Sequence, residues 1–186
     1  MKKETKKEAK IEEIEIPADI SIELSDNILT LTKGNKKVTN KFIAEGITIE
    51  KKGNKIVAAA NDSKKKSVAK VNALIAHIKN MVVGVQNGYI YRLKVIYSHF
   101  PMNIQKKDKT VEINNFIGGK KVRIAKIIGE TAVEIKGKDI TVSGCNKYEV
   151  GQTAANLEAA SRVKNFDLRV FHDGIYLYKK ETGIAK

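Results

Sequence analysis

Two hairpins of one design, 84 positions apart, constrain this chain more than anything else in its sequence. ITIEKKGNKIVAA (Ile47 to Ala59) places alternating apolar and polar residues on either side of Lys52-Gly53-Asn54-Lys55. AVEIKGKDITVSG (Ala132 to Gly144) does the same around Lys136-Gly137-Lys138-Asp139, so that Gly53 matches Gly137 and Ile56 matches Ile140. A period of two marks half-buried strands, and a glycine between two such runs marks a tight turn. The neighbourhood repeats as well. ILTLT (Ile28 to Thr32) precedes the first hairpin, and TVEIN (Thr110 to Asn114) precedes the second. A helical pattern follows each, and then a turn and strand: QNGYIYRLKV (Gln86 to Val95) and HDGIYLYKK (His172 to Lys180). A repeat at fixed spacing implies one supersecondary unit used twice.

In the first helix Val68, Val71, Ile75, Ile78 and Val82 recur at three- and four-residue steps and make one apolar face. Lys64, Lys65 and Lys66 crowd its first turn, the wrong end for cations, with Asp62 and Ser63 placed to cap and offset them. The second helix is read from about Glu149 to Val163, with Val150, Ala154, Leu157 and Ala160 inward. Tyr89, Tyr91, Leu93, Val95 and Tyr97 alternate along YIYRLKVIY, which is taken to close the first domain. The expected fold is α+β: two tandem duplicated domains, each a small, mainly antiparallel sheet packed against one helix. The expected divisions are a charged N-terminal extension (1–13), a first domain (14–97) and a second (98–186).

Charge comes next. The 186 residues carry 35 Lys and Arg against 21 Asp and Glu, a net +14. Residues 1–18 hold five Lys and five Glu; residues 19–97 net +8 and residues 98–186 net +6, so the surplus belongs to both halves of the body. A polyanion touching both halves accounts for this through counterion release. So does a composition that is simply rich in lysine. No stretch of about 18 apolar residues suggests a membrane span. MKKETKKEAK runs into IEEIEI where a signal peptide would need an apolar core, so the chain is expected to remain where it is made. Cys145 is the single cysteine, which excludes an internal disulfide and fits a reducing cytosol.

No catalytic pattern emerges. His77, His99 and His172 lie far apart, none has a second His or Cys at metal-ligand spacing, and Cys145 completes no zinc set. There is no nucleophile elbow, Walker loop or dinucleotide fingerprint. No enzyme, metal, cofactor or small-molecule substrate is expected. NNFIGGKKVR (Asn114 to Arg123) has a Gly-Gly turn followed by Lys120, Lys121 and Arg123. Exposed amides beside clustered cations suit phosphate. A plain glycine-turned hairpin with a solvated basic flank fits the spacing equally.

Longer strings carry a resemblance. HIKNMVVGV (His77 to Val85) followed by NGYIYRLKVIYSHFPMNI (Asn87 to Ile104) resembles the central signature of the universal large-subunit ribosomal protein family numbered six, in its archaeal and eukaryotic style, with an archaeal source favoured. VEINNFIGGKKVR (Val111 to Arg123) resembles that family's Asn-Phe-Leu-Gly-Glu-Lys loop, with Ile117 for Leu and Gly119 for Glu. VGQTAANLEAASRVKNFDLRVFHDGIYLYKKE (Val150 to Glu181) resembles its archaeal C-terminal signature, with His172 where Gln is usual. The likeness covers residues 14 to 182 in order.

The resemblance implies a cytoplasmic, ribosome-bound structural protein, neither an enzyme nor an obligate homo-oligomer. It would bind large-subunit rRNA mainly through the second domain, beside neighbouring ribosomal proteins at the stalk base near the translation-factor site. Ser98, His99, Phe100 and Pro101 would shape the inter-domain corner. Asn115, Gly118, Gly119, Lys120, Lys121 and Arg123 would form the main RNA-facing loop. Gln152, Asn156, Arg162, Lys164 and Arg169 would make a second contact line, and Asp173-Gly174 with Tyr176, Lys179 and Lys180 would complete the surface. Ser98 and His99 count among the RNA-binding candidates. The alternative is a non-ribosomal RNA-binding or ribosome-assembly factor on the same duplicated fold.

Overall fold

The structure is a computed structural model that describes residues 11–25, 27–42, 46–62, 64–97 and 100–183. The chain divides into two compact units, Met1–Gln86 and Asn87–Lys186.

In the first unit, β1 (Ile11–Glu15), β6 (Lys55–Ala60) and β5 (Ile47–Lys52) form an antiparallel sheet in the order β1-β6-β5. β2 (Ser21–Ser25), β3 (Ile28–Lys33) and β4 (Lys36–Lys41) form a second, in the order β2-β3-β4. The helix α1 (Lys65–Gln86) packs on strands of both sheets and buries Val71, Leu74, Ile75, Ile78, Met81 and Val85. By length and apolar content α1 would suffice to cross a bilayer; its apolar stripe is instead spent on the two sheets. No acidic residue occupies its first turn, where Lys64 pairs with Asp62 at 3.3 Å; Ser63, the other expected cap, lies outside the described residues. At its far end no basic residue of the helix faces the last turn, and Lys36 Nζ of β4 donates to the Gln86 carbonyl at 3.4 Å. A cation from the sheet thus meets the negative end of the helix.

The second unit repeats the plan. β8 (Asn103–Lys107), β9 (Thr110–Asn114) and β10 (Arg123–Lys126) form one sheet. β11 (Ala132–Lys136), β12 (Asp139–Gly144), β7 (Tyr89–Ile96) and β13 (Gly174–Thr182) form the other, in the order β11-β12-β7-β13. The two hairpins close through Gly53 and Gly137 at φ of +61° and +62°, the region that primed turns require and glycine enters freely. The helix α2 (Lys147–Ala160) buries Val150, Thr153, Ala154 and Leu157. It starts two residues before the expected Glu149, because the Asn146 side chain accepts from the Tyr148 N–H at 3.0 Å and caps it. It stops three residues before the expected Val163, where the Ser161 hydroxyl turns back to the Leu157 carbonyl at 3.0 Å.

Two of the expected boundaries move. Ile11, Glu12 and Glu13, assigned to the charged extension, are strand residues of β1 paired with Ala59, Ala58 and Val57. Residues 1–10 lie outside the described residues. The strand at Tyr89–Ile96, expected to end the first domain at 97, belongs to the second unit. It pairs with β12 on one side and β13 on the other, with Leu93 opposite both Ile140 and Leu177. β7 stands beside β12 as β1 stands beside β6, so the repeat begins with this strand and the division falls between Gln86 and Asn87. β13 is an added fourth strand.

β13 is also an edge, and α2 closes part of it. The Ile175 N–H donates to Ser161 Oγ at 2.9 Å and the Leu177 N–H to Glu158 Oε1 at 2.8 Å. Two backbone groups that would template another strand are thereby occupied, one by a side chain of α2 and one by its C-cap. Thr153 of α2 also accepts from the Ile128 N–H at 3.0 Å, in the connection between β10 and β11.

Candidate nucleic-acid interface

The connection from β9 to β10 is eight residues long, and its path is set by backbone conformations that most side chains avoid. Asn115 (φ 57°), Ile117 (φ 52°) and Gly118 (φ 69°) are left-handed, with the buried Phe116 among them. A β-branched residue at positive φ is unfavourable, so the neighbours of Ile117 must hold it there. Several contacts do so. Asn115 Nδ2 donates to the Pro101 carbonyl at 3.0 Å, and the Gly119 N–H donates to the Phe116 carbonyl at 3.0 Å. The Phe100 ring lies against Gly118, where an added Cβ would stand 3.3 Å from Cζ. Phe100 and Pro101, expected at a corner between domains, thus support this loop inside the second unit. Alternating backbone handedness is the arrangement that turns successive N–H groups into an anion-binding hollow.

Lys120 and Lys121 follow at the exposed end of the loop, with no ion pair among the described residues. Arg123 behaves differently. Its Nη1 donates to the carbonyls of Ala160 at 3.1 Å and Arg162 at 2.8 Å, and its Cζ sits 3.9 Å from the centroid of the Phe116 ring. Burial draws its pKa below the ordinary arginine value. Arg123, expected beside the two lysines in the RNA-facing loop, is half-buried, with its Nη1 and one ring contact engaged within the protein.

Those bonds tie the β9–β10 loop to the start of a second loop, residues 161–173, which leaves α2. Arg162, Lys164 and Arg169 are exposed on it, and none forms an ion pair among the described residues. Phe166, Leu168 and Val170 are 49, 63 and 55% exposed between them. Little in the sequence marks these three as outward, because an apolar residue carries no sign of which way it faces. The one signal in the sequence is their alternation with Asp167 and Arg169 just after Asn165.

The remaining candidates divide by what they touch. Asn156 Nδ2 donates to the Lys126 carbonyl at 2.8 Å, and its Oδ1 accepts from Gln152 Nε2 at 3.0 Å, so Asn156 joins α2 to β10. Lys179 Nζ lies 2.6 Å from Glu181, which also accepts from Arg92 Nε at 2.8 Å; both cations hold the Glu181 carboxyl below its usual pKa. Lys180 Nζ stands 5.5 Å from the Tyr91 ring centroid. The Tyr176 ring folds over Gly174, where any Cβ would come within 3.0 Å of it. Asp173 is buried. Ser98 and His99 lie outside the described residues. Among the described residues no group of three His, Cys, Asp or Glu is placed to hold a metal ion.

Comparison with known proteins meets this geometry directly. The family model for ribosomal protein L6 matches twice, over residues 16–88 and 100–174. The chain belongs to the ribosomal protein L6 family. The first match covers the first unit from residue 16 and runs two residues past it, and the second lies wholly within the second unit, so the L6 pattern occurs once for each half of the chain. The large ribosomal subunit protein uL6 of Methanosarcina mazei is 44% identical over 167 residues, spanning 90% of this chain and 95% of the relative. That of Saccharolobus solfataricus is 43% identical, spanning 92% and 95%. That of Sulfurisphaera tokodaii is 45% identical, spanning 92% of each. These L6 relatives are archaeal, and the α+β duplication read from the hairpins is the fold of this chain.

Proposed function

We propose that this chain is a structural, non-catalytic constituent of the large ribosomal subunit, ribosome-bound in the cytoplasm, and that it holds large-subunit rRNA by the two-loop end of its second unit. One observation carries the placement: Lys120, Lys121, Arg162, Lys164 and Arg169 are exposed on two loops that Arg123 ties together, all without ion pairs among the described residues. Elsewhere many cations are engaged, as in Lys33 with Asp19 and Lys107 with Glu112 at 2.7 Å. Unpaired cations in one place favour a polyanion, and base edges have no evident reader, so contact with backbone and shape dominates. The family resemblance supports the finer placement at the stalk base near the translation-factor site, beside other ribosomal proteins.

Replacing Lys120 and Lys121 together by Ala is the direct test. Both are exposed on a loop, so folding should be retained. The slope of log affinity for a large-subunit rRNA transcript against log salt should flatten by about 1.4–1.8, the share of two phosphate contacts. Replacing Lys65 and Lys66 in the first turn of α1 removes the same charge and should leave the slope as it was. Equal changes in both variants would reduce the interface to bulk charge.

A further inference from the structure

Arg123 is the one cation of the loop that the proposed function does not use. We infer that it is a positioning residue: it holds the loop 115–122 and the segment leaving α2 in one frame, so that the cations of both meet RNA together while Arg123 touches no RNA itself. This rests on the reading of the two-loop end as the rRNA interface.

The geometry supplies the reasons. Ala160 is the last residue of α2, and its carbonyl is one of those a helix leaves without an internal partner. The guanidinium supplies that partner and sets a positive charge at the negative end of the helix. The same Nη1 reaches the Arg162 carbonyl, two residues on, at 2.8 Å, which fixes the direction in which the second loop departs. The guanidinium carbon stands over the ring of Phe116, which is 3% exposed and lies between the left-handed Asn115 and Ile117. One side chain therefore grips the strained loop by its buried ring and the second loop by its backbone.

Lysine cannot replace it. An ammonium could donate to two carbonyls from its one nitrogen, as Nη1 does here, but it is a compact point charge with no planar group to set over the Phe116 ring. A phosphate ligand, in contrast, would tolerate lysine well. The two roles therefore part on Arg123→Lys.

The experiment uses the full-length protein, a large-subunit rRNA transcript and a salt series, with Arg123→Ala, Arg123→Lys and the Lys120/Lys121 double alanine variant side by side. Amide hydrogen exchange is followed on each free protein. Both Arg123 variants should lose affinity alike, by about tenfold or more. Their salt slopes should stay within about half a unit of the parent, since the same cations still reach phosphate once RNA orders the two loops and the loss is the cost of that ordering. Exchange should quicken across residues 115–122 and 160–172 in the free Arg123 variants, and not in the double lysine variant. Near-normal affinity in Arg123→Lys, or a slope that falls by about 0.7–0.9 in Arg123→Ala, would make Arg123 a phosphate ligand and overturn the inference. A lowered melting temperature with unchanged affinity would make it a stability residue alone, and would overturn it too. Should the double lysine variant keep the parental slope, the failure belongs to the phosphate reading of the loop. Exchange in the free Arg123 variants still decides the positioning role, and unchanged exchange there would refute it.

Discussion

Residues 87–186 should fold as a separate fragment and bind large-subunit rRNA, whereas residues 98–186 should not fold at all. The eleven residues that separate them contain β7, which is not a border of the second unit but an inner strand of its larger sheet. Tyr89, Ile90, Tyr91, Leu93 and Val95 are all buried along it, Leu93 completely. Burying one large apolar side chain contributes about 1.5–3 kcal/mol, so five of them approach the whole stability of an ordinary domain, about 5–15 kcal/mol. Removing β7 also strands the pairing edges of both β12 and β13. Circular dichroism and heat denaturation of the two fragments decide the matter. A cooperative transition in residues 98–186 would show that β7 is dispensable and return the division to residue 97. Residues 11–86 should fold as well but bind rRNA weakly. Their net charge does not argue for this, since residues 19–97 net +8 against +6 for residues 98–186. Lys33, Lys55 and Lys64 are engaged in ion pairs there, and unpaired cations grouped on joined loops matter more than a total.

Affinity of the full chain for an rRNA fragment should fall by on the order of 10²- to 10³-fold when monovalent salt rises from about 50 to about 200 mM, which is the response of about five phosphate contacts. The five are Lys120, Lys121, Arg162, Lys164 and Arg169, each exposed. Arg123 is left out of the count because its Nη1 is bonded to the Ala160 and Arg162 carbonyls, in keeping with the positioning role inferred above. Lys179 is left out because Glu181 neutralises it, and protonating Glu181 in acid would release both Lys179 and Arg92. The Glu181 carboxyl is held below its ordinary pKa, so that release lies below the usual carboxylate range and the count of five holds at neutral pH. Filter binding or fluorescence anisotropy across the salt series reads the slope. A change of less than about threefold over that range would remove phosphate contact as the source of affinity.

Much of this fold can be read from local sequence, because hairpins announce themselves locally. Gly53 and Gly137 lie at the turns where alternation placed them, and both adopt the positive φ that makes glycine the residue for the place. The apolar stripe of α1 was equally plain, since Val71, Ile75 and Ile78 share a face by helical spacing alone. What sequence could not supply was the identity of distant partners. The alternation in Tyr89–Ile96 reveals a strand without saying which strands it joins, and adjacency to the first helix suggested the wrong unit. β2 and β4 leave little trace in the sequence, because SIELS and KKVTNK each carry only one or two apolar residues. Arg123 is the same lesson at the site. Spacing put it in a basic run with Lys120 and Lys121, and only the folded chain brings in the Ala160 and Arg162 carbonyls, 37 and 39 residues away. Asn156 was likewise grouped with surface contacts, and its amide reaches back to Lys126, 30 residues upstream.

The central claim is that this chain is a resident of the large ribosomal subunit. Ribosomes fractionated on a sucrose gradient, with this protein quantified against other large-subunit proteins by mass spectrometry, test it most directly. The account predicts one copy per mature large subunit, retained in translating ribosomes. A protein found in substoichiometric amounts, confined to precursor particles or absent from mature subunits, would contradict it and identify an assembly factor instead.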